Sequence, residues 1–213
     1  MKRKVIRQGN NTLTITLPRK WSERAGLRAG DEIDVEERGY SLLVSPEKKP
    51  ANLRTMMDIT HVDRFTIRVL SSLYRKGYDE VEVRFSKPGI VKQIHDIIST
   101  SLLGFEIVEQ GKDFCLIKNI SIPLHSEFDT IMRRTFLLLI SMGKDSLDAI
   151  SKSDLRALED VRDSETINNK FTSFCRRILN ISGYPDFKKT PALYSILEEM
   201  EKVADEYRHL CTR

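Results

Sequence analysis

Residues 1–45 constrain this chain most, because they carry four strand signals and one helical turn but too few residues to close around them. Lys4–Arg7 reads as a first strand. Thr12–Leu17 alternates polar and apolar strictly, the period of a half-buried strand. Pro18 suits the opening of a helix, where its missing N–H costs nothing. Trp21 and Ala25 lie four apart on one helix face, which makes Trp21 a core residue rather than a base-stacking one. Gly26 supplies a left-handed stop, and Leu27 packs back on the last turn. Gly30-Asp31 turns into a third strand, with Ile33 and Val35 on one face and Asp34 and Glu36 on the other. Arg38-Gly39 turns into a fourth, with Tyr40, Leu42 and Val44 in phase. Below about 40–60 residues a chain needs disulfides, a metal or a partner to hold a fold. This stretch has no Cys and no metal-ligand cluster. What remains is a partner chain, and the sequence predicts a dimer whose strands complete each other.

Charge is sorted along the same stretch. Lys2, Arg3, Lys4, Arg7, Arg19, Lys20, Arg24 and Arg28 are basic, and Glu23 is the one acid before Gly30. Asp31, Glu32, Asp34, Glu36 and Glu37 follow. One end is cationic and the other anionic, as expected if one face meets phosphates. The candidate DNA-binding residues are Arg3, Lys4, Arg7, Asn10, Asn11, Arg19, Lys20 and Arg24. Strand alternation puts Arg3 and Arg7 on one face and Lys4 on the other.

The runs Val5-Ile6-Arg7-Gln8-Gly9-Asn10, Leu13-Thr14-Ile15-Thr16-Leu17-Pro18 and Ala25-Gly26-Leu27-Arg28-Ala29-Gly30-Asp31-Glu32-Ile33 resemble the SpoVT/AbrB domain. That resemblance implies a swapped-hairpin β dimer that binds double-stranded DNA. Many members carry an Arg four residues before the Pro and a basic pair inside the helix. Here those places hold Thr14 and Ser22-Glu23, and the basic residues sit instead at Arg3, Lys4, Arg7, Arg19 and Lys20.

At 213 residues the chain has room for two or three domains. No run of about 18 apolar residues indicates a membrane span, and Met1-Lys2-Arg3-Lys4 leads into a strand rather than a signal-peptide core. Cys115, Cys175 and Cys211 are odd in number and far apart, which suits buried thiols and a cytoplasmic location. A net charge of +4 is too weak to argue for nucleic acid by itself. Its concentration in the first thirty residues carries that argument.

Beyond residues 1–47, the expected SpoVT/AbrB-like domain, a polar stretch with Pro46 and Pro50 marks a linker at 48–52. Residues 53–120 read as a small α/β domain in the order β-α-β-α-β-β. Its signals are a strand at Arg54–Met57 and a helix cap at Thr60 with Asp63. A helix stripe follows at Val62, Phe65, Val69 and Leu73. Then come a strand with Val81, Val83 and Phe85, a helix with Ile90, Ile94, Ile97 and Ile98 inward, and a hairpin around Gln110-Gly111-Lys112. Residues 121–213 read as an antiparallel helical bundle, so the fold class is α+β. Leu124, Phe128, Ile131, Thr135, Leu138 and Met142 form one stripe, and Met132, Phe136 and Leu139 a second. Ser151-Lys152-Ser153 breaks the chain and re-caps it. The next helix carries Leu155, Leu158, Phe171, Phe174, Ile178 and Ile181. After a Thr190-Pro191 cap, a third turns Ile196, Met200, Val203, Tyr207 and Leu210 inward.

The order of these helices, and Leu155–Leu179 in particular, resembles a PhoU-type bundle. Arg162–Asn169 falls where that family places an acidic pair four residues apart, a spacing that lets two carboxylates share a metal. Here the registers give Ser164 with Asn168 or Glu165 with Asn169, while Glu159 with Asp163 and Glu201 with Asp205 keep the spacing elsewhere. Solvated helix faces explain these carboxylates better than a metal cluster. His61, His95, His125 and His209 are scattered with no zinc spacing. Ser86-Lys87-Pro88-Gly89 reads as a helix cap before an anion site, and Cys175 as core before nucleophile. No nucleotide-binding or hydrolase motif is present. The expectation is no catalytic residue, no metal and no cofactor.

Together an SpoVT/AbrB-like head, a small α/β unit and a PhoU-like tail resemble an archaeal-type phosphate uptake regulator. The chain is expected to be a DNA-binding transcription regulator, not an enzyme. It is expected to act as a homodimer or higher homo-oligomer, with room for a partner protein on the helical tail. The alternatives are an antitoxin-like protein, a chromatin-architectural DNA-binding protein and a metal-binding helical regulator. Antitoxin tails of this sort are short and disordered, whereas this one carries long striped helices.

Overall fold

The computed structural model describes residues 1–38, 40–46, 53–60, 66–87, 89–121 and 127–212. The chain divides into two compact units, Met1–Ala51 and Asn52–Arg213.

The first unit holds two antiparallel hairpins and a helix. β1 (Ile6–Gln8) pairs with β2 (Thr12–Thr14), placing Arg7 opposite Leu13. The first strand is therefore shorter than the sequence pattern suggests, and Arg3 and Lys4 precede it. Strict alternation to Leu17 also overstates β2, because past Thr14 the chain finds no neighbour within this hairpin to pair with. Pro18 is the N-cap of α1 (Arg19–Ala25), one place earlier than its missing N–H suggests. Gly26 closes that helix in the left-handed region at φ 67°, and Leu27 N–H returns to the Ser22 carbonyl at 2.9 Å. This is the glycine stop expected of the sequence, and only glycine adopts it without a Cβ penalty. β3 (Ile33–Arg38) pairs with β4 (Ser41–Pro46). Val35 lies opposite Val44, and Ile33 opposite Pro46, so the apolar alternation lands on one face.

The second unit begins with a four-stranded mixed sheet in the order β5-β6-β8-β7. β5 (Arg54–Asp58) runs parallel to β6 (Glu80–Arg84), joined through α2 (Thr66–Arg75). After α3 (Ile90–Ser101), β7 (Phe105–Gln110) and β8 (Phe114–Asn119) form a hairpin, and β8 lies antiparallel to β6. Met57, Val81, Val83, Cys115 and Ile117 share one sheet face and pack with Leu70, Tyr74, Ile90, Ile94 and Ile98 of the two helices. The opposite face carries ion pairs, Arg54 and Arg84 to Glu82 and Lys118 to Glu80.

Three helices complete the unit: α4 (Glu127–Lys152), α5 (Leu155–Ser182) and α6 (Thr190–Leu210). α5 lies between two layers. Thr172 to Leu179 are all buried, because α4 and α6 cover one side and the α/β layer the other. Periodicity sees only one apolar stripe there, yet Arg176 and Arg177 are buried too. Arg177 donates to the carbonyls of Tyr74 and Tyr78 at 2.7 Å each and to Asp79 Oδ1 at 2.7 Å. Its guanidinium also lies over the rings of Tyr74 and Phe105, at 5.0 and 5.3 Å. Asn180 donates to the Arg75 carbonyl and Lys170 to that of Ser99, both at 2.7 Å. The sheet and the helices are thus bolted together across residue 120.

Several helix faces differ from the sequence reading. On α2 the inner positions are Thr66, Leu70 and Tyr74, and Val69 is exposed. The stripe is shifted because the Tyr74 ring, whose hydroxyl donates to the Leu103 carbonyl at 2.9 Å, takes the inner position. On α6 the buried positions are Leu197, Met200 and Ala204, while Ile196, Val203 and Leu210 face out. A small Ala at the seam lets helices approach and was invisible to a search for large apolar residues. Phe136 on α4 and Leu155 and Ile181 on α5 are exposed as well. α5 is capped by Asp154, whose carboxylate accepts from Arg156 and Ala157 N–H, rather than by Ser151 or Ser153. Thr190 is not a cap either; its hydroxyl accepts from Tyr184 N–H at 2.8 Å. Val62, Asp63, Phe65 and Leu124 lie outside the described residues. Among the described residues no helix is long and apolar enough to cross a membrane.

Candidate nucleic-acid interface

Among the described residues of the first unit no basic side chain is buried. Arg3, Lys4, Arg7, Asn10, Asn11, Arg19, Lys20 and Arg24 are all exposed. Arg7 sits in β1, Asn10 and Asn11 at the tip of the β1–β2 hairpin, and Arg19, Lys20 and Arg24 on α1. Gly9 at φ 71° lets the chain reverse before that tip. Arg3 and Lys4 lie ahead of β1, so the strand pleat does not assign them to opposite faces. Arg19 is already engaged, its Nε donating to Glu23 Oε1 at 2.8 Å one turn along α1. That pair is largely exposed, so a phosphate competes for Arg19 at small cost. The structure places these residues on one small unit. The downstream acids Asp34 and Glu36 lie in β3, and Asp31 accepts from Arg28 N–H at 2.7 Å in the turn before it.

The same unit lacks a core of its own. Among its described residues none is buried. Leu17, Trp21, Ala25, Leu27, Ile33 and Val44 are half-buried, while Val5, Ile6, Leu13, Ile15, Val35, Leu42 and Leu43 are exposed. Trp21 is thus part of a half-built core rather than a fully buried residue. The two hairpins do not pair with each other. A two-stranded hairpin is marginal alone, and its open edges are templates for another chain.

The other candidate positions are structural. Glu165 Oε1 accepts from Asn169 Nδ2 at 2.5 Å and lies 3.7 Å from Arg208 Nε across the α5–α6 seam. Burial raises the Glu165 carboxyl above its ordinary range, and a hydrogen bond with the Asp205 carboxyl raises it further. Arg176 pairs with Glu201 of α6, while Glu159 and Asp163 face solvent. Among the described residues there is no group of three or more His, Cys, Asp or Glu placed to hold a metal. His95 and His209 are exposed, and His61 and His125 lie outside the described residues. Burial pushes the thiol of Cys175 up to about 12 and that of Cys115 to about 11, so both stay protonated. Gly89 is the N-cap of α3, with no side-chain cap bond, and Pro88 lies outside the described residues. Arg177 is the residue that sequence reasoning missed. A charged side chain at a helical core position, beside Phe174 and Ile178, was its only signal.

A small β unit with exposed basic residues and no buried core of its own is the class that these observations define. Residues 6–52 match the family model described as antidote-toxin recognition MazE, bacterial antitoxin. This stretch is a MazE/AbrB-like domain of the SpoVT/AbrB type. No curated protein and no solved structure matches the chain.

Proposed function

We propose that this protein is a sequence-dependent DNA-binding transcription regulator that engages duplex DNA as a homodimer through residues 1–47. The observation that carries the reading is the coincidence, on one small unit with a MazE/AbrB-like stretch, of an unburied apolar surface and the eight basic side chains of residues 1–30. Pairing two copies finishes the core, and doubling the charge makes a single cationic surface. Phosphate contacts release counterions, so binding weakens with salt by about 0.9 log units per contact per log unit of salt. Neutralising Arg3 and Arg7 removes four charges per dimer, and the salt slope is expected to fall by roughly 3–4. Neutralising Lys188 and Lys189, in the short turn before α6, is expected to leave it unchanged. A slope insensitive to Arg3 and Arg7 but lost with Lys188 and Lys189 would sink this placement of the DNA face. A genome-wide binding map tests sequence dependence, since an architectural protein would bind without preferred sites.

An antitoxin is the second reading, favoured by the description of the matching family. Its test is suppression of the growth arrest caused by a co-encoded toxin, which a plain regulator does not relieve. The long folded segment at 53–212 supports the regulator. A PhoU-like identity for the helices and a signal drawn from phosphate metabolism are supported by sequence resemblance alone. Regulation of the bound promoters by phosphate supply is the measurement that tests them.

A further inference from the structure

The helices of the second unit leave one face uncovered. Cys211 Sγ lies 3.5 Å from Ser146 Oγ, which fixes the level at which α6 meets α4. Three residues before Ser146, a Cβ on Gly143 would come within 2.7 Å of the Tyr207 hydroxyl, so the seam is tight there. α6 meets α5 on another side, through Glu201 with Arg176 and Arg208 with Glu165. At about 100° per residue, Ile196, Val203 and Leu210 fall beyond Tyr207, on the flank of α6 away from α5. α4 meets α5 beside Asp145 and Asp148, which line a cleft with Ala157, Asp160 and Val161. Phe136, Ile140, Leu147 and Ile150 fall on the other flank of α4, next to α6. The two exposed stripes therefore run side by side along the α4–α6 seam.

The size and charge of this face indicate its occupant. Seven large apolar side chains, from 40% to 72% exposed, line it. A stable interface buries at least roughly 1,200 Å² in total, about 600 Å² from each copy, which is the upper end of the largest apolar patch on a typical soluble monomer. The rims differ in sign. Arg133 and Lys144 border the α4 stripe, and Glu206 and Glu199, the latter paired with Lys202 at 2.6 Å, border the α6 stripe, all exposed. Stacking α4 on α4 would oppose like charges. A two-fold axis that sets α4 against the α6 of another copy brings basic rim to acidic rim twice.

We propose that the α4–α6 face is a self-association surface, occupied by the same face of a second copy of this chain. All of its residues belong to the second unit; where the N-terminal unit dimerises as proposed above, the tether raises the effective concentration of the helices and strengthens the contact.

The test uses the full chain with Ile140→Cys and Val203→Cys, the three native cysteines being buried. Under mild oxidation an interchain disulfide is expected to form at least about ten times faster than in a control carrying Leu155→Cys and Ile167→Cys on α5, the contact raising the effective concentration of the two thiols. Arg133→Glu with Lys144→Glu is expected to slow it towards the control, and adding Glu199→Lys with Glu206→Lys to restore it. A rate no faster than the control overturns the proposal and leaves the face to a different protein. Light scattering of the Ile140→Glu/Val203→Glu chain keeps the two readings apart. Twice the monomer mass is the N-terminal dimer persisting without the helix contact. Monomer mass overturns the N-terminal dimer and leaves the helix contact as the bond between copies.

Discussion

In residues 53–212 strands and helices find their apolar partners within one chain, whereas in residues 1–46 they do not. Val81, Val83, Cys115 and Ile117 are wholly buried in the larger unit. Leu13 and Val35, on strands of the same alternating kind, are 69% and 56% exposed in the smaller. Local pattern is equally good in both, so the difference is one of scale. A sheet that has two helices to lie on can bury a face; two isolated hairpins cannot. An incomplete core makes folding conditional on a partner, and in the DNA-binding role proposed above that condition would couple assembly to binding.

The largest effect is expected inside the complete unit. Arg177→Ala takes the guanidinium donors from the Tyr74 and Tyr78 carbonyls and removes the charge partner of Asp79, and breaking a buried charged network of this kind costs about 3–5 kcal/mol. Urea unfolding followed by helical circular dichroism measures it. A loss below 1 kcal/mol would mean the two layers do not depend on this residue. Next comes Leu13→Ala. On an exposed residue the change is within about 0.5 kcal/mol, but a residue covered by a partner loses about 2–5 kcal/mol. Trp21 is the single tryptophan, so its fluorescence reports the small unit within the whole protein. We expect the larger cost, with a midpoint that rises with protein concentration. A neutral, concentration-independent result would make the smaller unit self-sufficient.

Smaller effects sharpen the contrast. Leu155→Ala, at a position 76% exposed, is expected to change stability by less than about 0.5 kcal/mol, against about 2–5 kcal/mol had the sequence stripe placed it correctly. For Glu165 the folded protein holds the proton more tightly than the unfolded chain does. Its contribution is therefore fully present below the ordinary carboxyl range and is lost as pH rises through the raised value. Glu165→Gln mimics the protonated form. It is expected to raise stability slightly at pH 7 and leave it unchanged at pH 4, both read as differences from wild type in urea titrations. A stabilisation equal at both pH values would count against the proton on Glu165.

Turns and strands were legible where their chemistry is local. Gly26 and the alternation around Val81 and Val83 each determine their neighbours' conformation, and the structure follows them. Helix faces were less legible. A stripe of large apolar residues has no way to register Ala204 as a seam residue, or Thr66 and Tyr74 as inner ones. On α6 the misplaced stripe of Ile196, Val203 and Leu210 is a real apolar face that this chain leaves outside. The basic residues of the small unit were readable from composition. Their grouping into faces was not, because Arg3 and Lys4 fall outside the pleat that would have ordered them.

The Arg177 bridge also has a meaning in time. Its hydrogen bonds reach back about a hundred residues along the chain, to Tyr74, Tyr78 and Asp79. During synthesis the α/β layer is complete at Asn119, but the part of α5 that covers it ends only at Leu179. At about 5–20 residues per second the ribosome takes roughly 3–12 s to cross that gap. Over that interval the emerging layer displays the apolar back of α2 and α3 to the cell. Nascent chains stalled before α5 are the form of this protein that a chaperone would meet, and the form most prone to aggregate.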